Sequence, residues 1–453
     1  MSETQIKRLL IISYYWPPTG GSGVQRWLKF TKYFPKYGIQ PVVFTPENPE
    51  QAAVDATLLN DIPAEAEVIK NHIIEPYTLF RKFTGSGKKG SNYLNPLNDS
   101  GNKSLKLKIS LWIRANFFVP DPRIFWKRSS LKYLKKYLVD HPVDAIVSTG
   151  PPQSMHLLAR DLHRATGISW IADFRDPWTR DFAFKHLPMI GPVHRLHKRQ
   201  ELSVLRESTA ITSVTANMAD EFREMLEASG LSHQEATRKI HVIYNGFDLA
   251  DYDMTEKKLD SEFTMLFSGI FNREGSPDNL WRVLGEIARE NEEFQRDLKI
   301  RFIGRVDTDI TDLITEEGLS ANLDLKGYLP HRQTTVFQQT ARVLILPLRK
   351  QPEAMAILPG KLYEYLATRR PILSFGPEGC ELGTMLSRAG AGEVFDWNET
   401  EHLKEKVLQL YSEYCQNRDQ KAESGELPER ILCYTRESET VQMSELVKEI
   451  IKK

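Results

Sequence analysis

Cysteine is scarce in this 453-residue chain: only Cys380, Cys415 and Cys433 occur. So odd and sparse a set builds no disulfide framework and fits a reducing compartment. Net charge is also missing, with 60 Lys and Arg against 60 Asp and Glu. No global field draws the chain to nucleic acid, so any basic patch has to be local. No apolar run approaches the ~18 residues of a membrane span. Leu9–Trp16 is only strand length before Pro17-Pro18, which excludes a signal-peptide core there. A cytoplasmic protein is expected, with any membrane contact peripheral, on the inner face of the plasma membrane.

An apolar content of 41% and a charged content of 26% are those of a globular protein, and the length calls for more than one core. Short apolar runs alternate with helical patterns. Arg8–Tyr15, Gln40–Thr45, Ala145–Thr149, Ser169–Ala172 and Ala210–Val214 read as strands. Val24–Tyr37 and Ser154–Thr166 read as helices. The pattern restarts with strands at Thr264–Ser268, Lys299–Ile303, Leu323–Lys326, Val343–Leu346 and Pro371–Phe375, and a helix at Pro277–Arg289. Such alternation predicts an α/β fold of two doubly wound, Rossmann-like domains facing across a cleft. Asn245-Gly246 is a turn signal at the seam. The expected domains are 1–245 and 246–436, with a terminal helix at 437–453 packing back on the first.

Residues 81–104 interrupt this rhythm with Gly, Ser, Asn and Lys and predict a mobile insert. Lys103–Lys136 then carries ten Lys and Arg against one acid, Asp121. Trp112, Phe117, Phe118, Phe125 and Trp126 lie among them. A basic, aromatic-rich amphipathic segment can lie on an anionic lipid surface; it can equally be a helix pair with a solvated basic face.

Ligands of parallel sheets collect at the C-terminal strand ends. The loop after strand one holds Gly20, Gly21 and Gly23, which let the backbone approach a phosphate at a helix start. A dinucleotide fingerprint needs a third glycine, and Arg26 stands there instead. No acid ends strand two, although Glu47 is near, so a nicotinamide oxidoreductase is the weakest reading. Asp173 and Asp176, with Arg175 and Trp178, follow another strand and suit sugar binding; an Asp-Pro turn with an Asp173–Arg175 pair is the plainer alternative. Arg273 and Arg305 end strands of the second half and can fork onto phosphate, or pair with Glu274 or Asp307. His194, His197 and Glu201 make only a faint metal pattern, and the Asp-x-Asp pairs at 251 and 307 end no apolar strand, so no metal site is expected. In Pro359–Leu373, Gly360 opens a helix with Lys361 and Glu364 near its N-terminus. They can grip a phosphate and sugar hydroxyls, or form a surface salt bridge.

Together, the Pro-Pro-x-Gly-Gly loop, Ser148-Thr-Gly-Pro-Pro152, Asp173-Phe-Arg-Asp-Pro-Trp178, Asn245-Gly-Phe-Asp248 and Pro359-Gly-Lys-Leu-Tyr-Glu-Tyr-Leu-Ala367 resemble bacterial family 4 glycosyltransferases of the GT-B fold (glycosyl transferases group 1). The resemblance implies a nucleotide-diphosphate sugar as donor substrate, with no other cofactor and no metal. It also implies retention of anomeric configuration. By it, Glu364 binds the ribose hydroxyls, Lys361 and Arg273 the diphosphate, and Gly20–Gly23 close over the phosphates. The acceptor implied is a cell-envelope glycan or a lipid-linked glycan. By the same resemblance, the sugar moved would be hexosyl or N-acetylhexosaminyl. Two departures stand out. Many members carry a glutamate eight residues before Glu364, where this chain has Ala356; and the first loop of the second half offers Arg273 before Glu274-Gly275 rather than an arginine and a lysine. A catalytically silent nucleotide-sugar-binding or scaffold protein is the alternative.

Overall fold

The computed structural model describes residues 6–50, 54–73, 105–419, 421–423 and 425–452. The expected insert at 81–104 lies outside them. Two compact units form, residues 1–244 with 436–453, and residues 245–435. Helices of nine residues or more are numbered.

Unit 1 holds β1 (Lys7–Ile12), α1 (Ser22–Tyr33), β2 (Ile39–Pro46), β3 (Glu67–Asn71), α2 (Leu105–Phe117), α3 (Ile124–Asp140), β4 (Ala145–Gly150), α4 (Ser154–Thr166), β5 (Trp170–Phe174), α5 (Gly191–Glu207), β6 (Ala210–Ser213), α6 (Ala216–Ala228) and β7 (Ile240–Val242). Its seven strands run parallel in the order β3-β2-β1-β4-β5-β6-β7. Strand order reverses between β1 and β4, the place where open parallel sheets leave a crevice for ligands. The central strands are buried on both faces, which is why they read as unbroken apolar runs. One face packs on Trp126, Leu158 and Phe222. The other packs on Trp27, Phe30, Met443, Val447 and Ile450.

Unit 2 repeats the plan with β8 (Phe263–Ser268), α7 (Asp278–Glu290), β9 (Leu298–Ile303), α8 (Thr308–Glu316), β10 (Leu323–Gly327), α9 (His331–Thr340), β11 (Val343–Pro347), α10 (Gly360–Thr368), β12 (Ile372–Phe375), α11 (Glu381–Ala389), β13 (Gly392–Phe395) and α12 (Glu401–Gln416). Six parallel strands take the order β10-β9-β8-β11-β12-β13, reversing between β8 and β11. The chain then re-enters unit 1 as α13 (Arg436–Lys452), which lies against α1. Lys36 bonds Glu437 at 2.8 Å and Ser169 bonds the Ile450 carbonyl at 3.0 Å, fixing both ends of α13. An α/β fold of two Rossmann-like units is thus present.

Candidate functional site

In unit 2 the site forms at the reversal of strand order. β8 ends at Ser268 and passes into Gly269, whose φ of +124° is a backbone conformation that a side chain resists. Gly304, after β9, has φ +112°, and a Cβ there would stand 2.2 Å from the Gly269 carbonyl oxygen. The two strand ends therefore touch backbone to backbone. The Lys361 side chain lies over Gly269, filling the space that a Cβ at 269 would take. Lys361 is half-buried, and among the described residues it makes no hydrogen bond or ion pair. α10 has Pro359 at its N-cap with no side-chain cap, so its first N–H groups stay open beside that cation.

Glu364, one turn on, is held from behind. Its Oε2 accepts from Gln338 Nε2 at 3.1 Å, and Oε1 lies 3.9 Å from His331 Nε2. Gln338 also donates to Ser268 Oγ at 2.9 Å. Tyr365 accepts from the Ser268 N–H at 3.1 Å and pairs with its hydroxyl at 3.3 Å. Burial pushes the Tyr365 hydroxyl up, so it stays a neutral donor and acceptor.

Arg273 and Arg305 lie in loops joined by backbone bonds between Phe271 and Arg305 and between Asp307 and Phe271. Neither guanidinium is free. Arg273 forks onto Asp278 at 2.8 and 2.9 Å, rather than onto Glu274, and Arg305 leans on Asp307 at 3.5 Å while largely exposed. The Lys361–Glu364 salt bridge weighed above is not formed.

In unit 1 the loops after β1, β4 and β5 meet. Arg175 donates to the Gly23 carbonyl at 2.7 Å and to the Pro151 carbonyl, and its guanidinium lies 5.8 Å from the centre of the Tyr15 ring. A side chain at 23 would meet Arg175 at 3.0 Å. Gly21 is exposed with φ +102° and caps α1, which has no side-chain cap either, and Gly20 is half-buried before it. Asp176 follows Arg175 in the chain and is exposed.

Asp173 requires a correction. It does not project toward a ligand but is fully buried, and it does not pair with Arg175. It accepts from Arg26 at 3.0 and 3.2 Å, Trp27 at 2.7 Å, Thr212 at 2.8 Å and Thr149 at 2.9 Å. Burial alone would raise its carboxyl; the charge of Arg26 and these donors reverse the shift and lower it. Arg26 is itself buried and donates onward to the carbonyls of Ile243 and Tyr244. The residue that breaks the dinucleotide fingerprint is thus a structural tie. His197 and Glu201 are likewise structural. Trp178 donates to His197 at 3.1 Å, and Glu201 accepts from the Thr179 backbone at 3.3 Å. Among the described residues, no group of three His, Cys, Asp or Glu could hold a metal ion.

Sequence reasoning missed Gly269, Gly304, Gln338 and His331. The glycines had a signal, each standing directly after an apolar strand; the side chains on α9 had none.

The class these features define is an α/β chain of two Rossmann-like units with an anion-ready helix start in the second. Residues 252–426 match the family model Glycosyl transferases group 1. No curated protein matches the chain. Several solved structures are similar over almost all of it. Sucrose-phosphate synthase from Thermosynechococcus elongatus is 13% identical, with a TM-score of 0.54, over 98% of this chain and 99% of that one. A UDP-forming α,α-trehalose-phosphate synthase from Burkholderia xenovorans is 11% identical, with a TM-score of 0.59, over 98% and 99%. A lipopolysaccharide outer core galactosyltransferase is 12% identical, with a TM-score of 0.53, over 97% and 99%. At these identities the likeness shows the fold. With the family match in unit 2, it supports a glycosyltransferase.

Proposed function

We propose that this chain is a glycosyltransferase of the family 4 type that moves a hexosyl or N-acetylhexosaminyl group from a nucleotide-diphosphate sugar to a cell-envelope glycan or lipid-linked acceptor. One observation carries the reading. Within the matched segment, an unpaired lysine and a clamped glutamate share the open start of α10, at the point where strand order reverses. Lys361 and the free N–H groups would take the diphosphate, on which negative charge grows as the glycosidic bond breaks. Glu364 would accept from the ribose hydroxyls. Gly20, Gly21 and Gly23 would offer backbone to phosphate, and Asp176 would accept from an acceptor hydroxyl. Arg273 joins only if it leaves Asp278. The reaction would retain configuration without a metal. The UDP-forming and galactosyl-transferring proteins of similar fold are in keeping with such a donor. The exposed apolar residues of α2 and the basic residues of α3 would bring the protein to the inner face of an anionic membrane from the cytoplasm.

Two variants test the donor site by calorimetry with UDP, GDP and their sugars. Lys361→Ala should weaken nucleoside diphosphates about tenfold or more, as loss of a charge-assisted contact does, with nucleosides unaffected. Glu364→Ala should weaken nucleosides and nucleotides alike. If no nucleotide-sugar binds the native protein, the reading fails. Ala356 and the Arg273–Asp278 pair favour a second reading, a silent nucleotide-sugar-binding protein. Binding without cleavage or transfer of any nucleotide-sugar would select it.

A further inference from the structure

Glu364 sits on α10, but what faces its carboxylate from behind comes from α9. Gln338 is fully buried, and its amide nitrogen has two acceptors, Ser268 Oγ at 2.9 Å and Glu364 Oε2 at 3.1 Å. An ionised carboxylate only accepts hydrogen bonds, so the amide orientation is fixed: nitrogen must face Glu364, because the carbonyl oxygen there would repel it. The price appears on the other side, where Gln338 Oε1 is buried without a partner. An unmet buried acceptor costs stability, and here the fold keeps it so that both amide hydrogens point at Ser268 and Glu364.

We infer that Gln338 is a positioning residue that locks the Glu364 carboxylate, committing Oε2 to the protein and leaving Oε1 to receive a ribose hydroxyl of the bound nucleotide. This inference rests on the donor-site reading above. A glutamate on a helix otherwise samples several rotamers, and freezing them before the ligand arrives removes that cost from binding. Ser268 and Tyr365 extend the lock into the end of β8, the strand whose next residue, Gly269, carries Lys361. One buried network thus sets the carboxylate while the same strand end seats the cation.

The test compares UDP and GDP with their 2′,3′-dideoxy counterparts on the native protein, Gln338→Met and Gln338→Glu. The native protein should bind the nucleotide with ribose hydroxyls more tightly. Gln338→Met removes both donors at similar volume. It should weaken that nucleotide about tenfold, the scale of a hydrogen bond to a charged group. Its affinity for the dideoxy form should stay as in the native protein. Gln338→Glu keeps the shape but sets two carboxylates together, with His331 Nε2 3.9 Å from Glu364 Oε1 in variant and native protein alike; compared with the native protein at each pH, its affinity for the full nucleotide should recover as pH is lowered and one proton bridges the pair. A merely structural glutamine would affect both nucleotides equally and give no such pH profile. Should Gln338→Met fail to fold, Ser268→Ala loosens the same lock and should show a smaller loss confined to the full nucleotide. Discrimination unchanged in the variants overturns the role of Gln338 alone. A native protein indifferent to the ribose hydroxyls overturns the donor-site reading with it.

Discussion

At the scale of single residues, unit 1 stores ionisable groups where water does not reach, and they respond to pH in opposite directions. The Asp173 carboxyl lies below its usual value because Arg26 and neutral donors outweigh its burial. Its stabilising contribution is present above the unfolded value of 3.8 and is lost as acid protonates it. Glu439 on α13 is the reverse case. Burial pushes its carboxyl up to about 7, although Arg436 and Arg26 pull it down. Its Oε1 has no partner, and Oε2 accepts from Arg436 at only 3.3 Å. A raised folded value means the fold holds the proton more tightly than the unfolded chain. That contribution is complete below pH 4.5 and disappears as pH rises through about 7. Glu439→Gln keeps the neutral shape at every pH. Urea unfolding at pH 8 should find it more stable than the native protein by up to about 3 kcal/mol, with the gain gone at pH 4.5. A gain of equal size at both pH values would show that Glu439 is not buried as an acid.

At the scale of elements, the basic segment at 103–136 divides into two different helices. α3 is a sheet-covering helix: Trp126, Ser130 and Leu134 are buried, and Trp126 stacks on Phe44 at 4.9 Å. Its outer side shows Arg128, Lys132, Lys135 and Lys136 to solvent. α2 is the helix that leaves apolar groups outside, with Leu105, Ile109, Trp112 and Phe117 all exposed, joined by Phe125 at the start of α3. Bilayer insertion would therefore run through α2, with α3 supplying long-range attraction of about 1 kcal/mol per basic residue near the surface. Flotation with phosphatidylglycerol vesicles should be lost in Trp112→Ala/Phe117→Ala, and reduced and made less salt-sensitive in Lys132→Gln/Lys135→Gln/Lys136→Gln. Equal flotation of all three proteins would remove the membrane from the account. The same split shows what sequence could carry. Buried central strands such as β1, β4 and β8 announce themselves as apolar runs. The edge strands β3, β7 and β13 escaped notice: Glu67–Asn71 is mixed and half-exposed, and Ile240–Val242 and Gly392–Phe395 have three and four residues. The site divides likewise. Lys361 and Glu364 could be found because both lie on one helix start. The burial of Asp173 could not, since its partners come from α1, β4 and β6, far away in the chain.

At the scale of the whole molecule, the order of the chain makes the two units unequal in autonomy. Unit 2 is continuous from 245 to 435 and has its own sheet and core, with Phe263, Leu284, Ile300, Phe375 and Val407 within it. Every residue assigned to the donor helix and to its lock lies inside that stretch. Unit 1 is interrupted, and it is completed only when α13 lays Met443, Leu446, Val447 and Ile450 against the face that holds Trp27, Phe30 and Phe34. Each such side chain contributes about 1.5–3 kcal/mol when buried, so a chain ending at 435 leaves unit 1 short by several of them and exposes Trp27 and its neighbours. The fragment 245–435 should therefore fold alone, melt cooperatively and bind the same nucleoside diphosphate as the full chain, with Lys361→Ala weakening it equally in both. Residues 1–435 should express poorly, and what is recovered should show early loss of unit 1 with the nucleotide-dependent transition of unit 2 intact. Loss of nucleotide binding in a folded 245–435 fragment would overturn the assignment of the donor site to α10 and its lock alone.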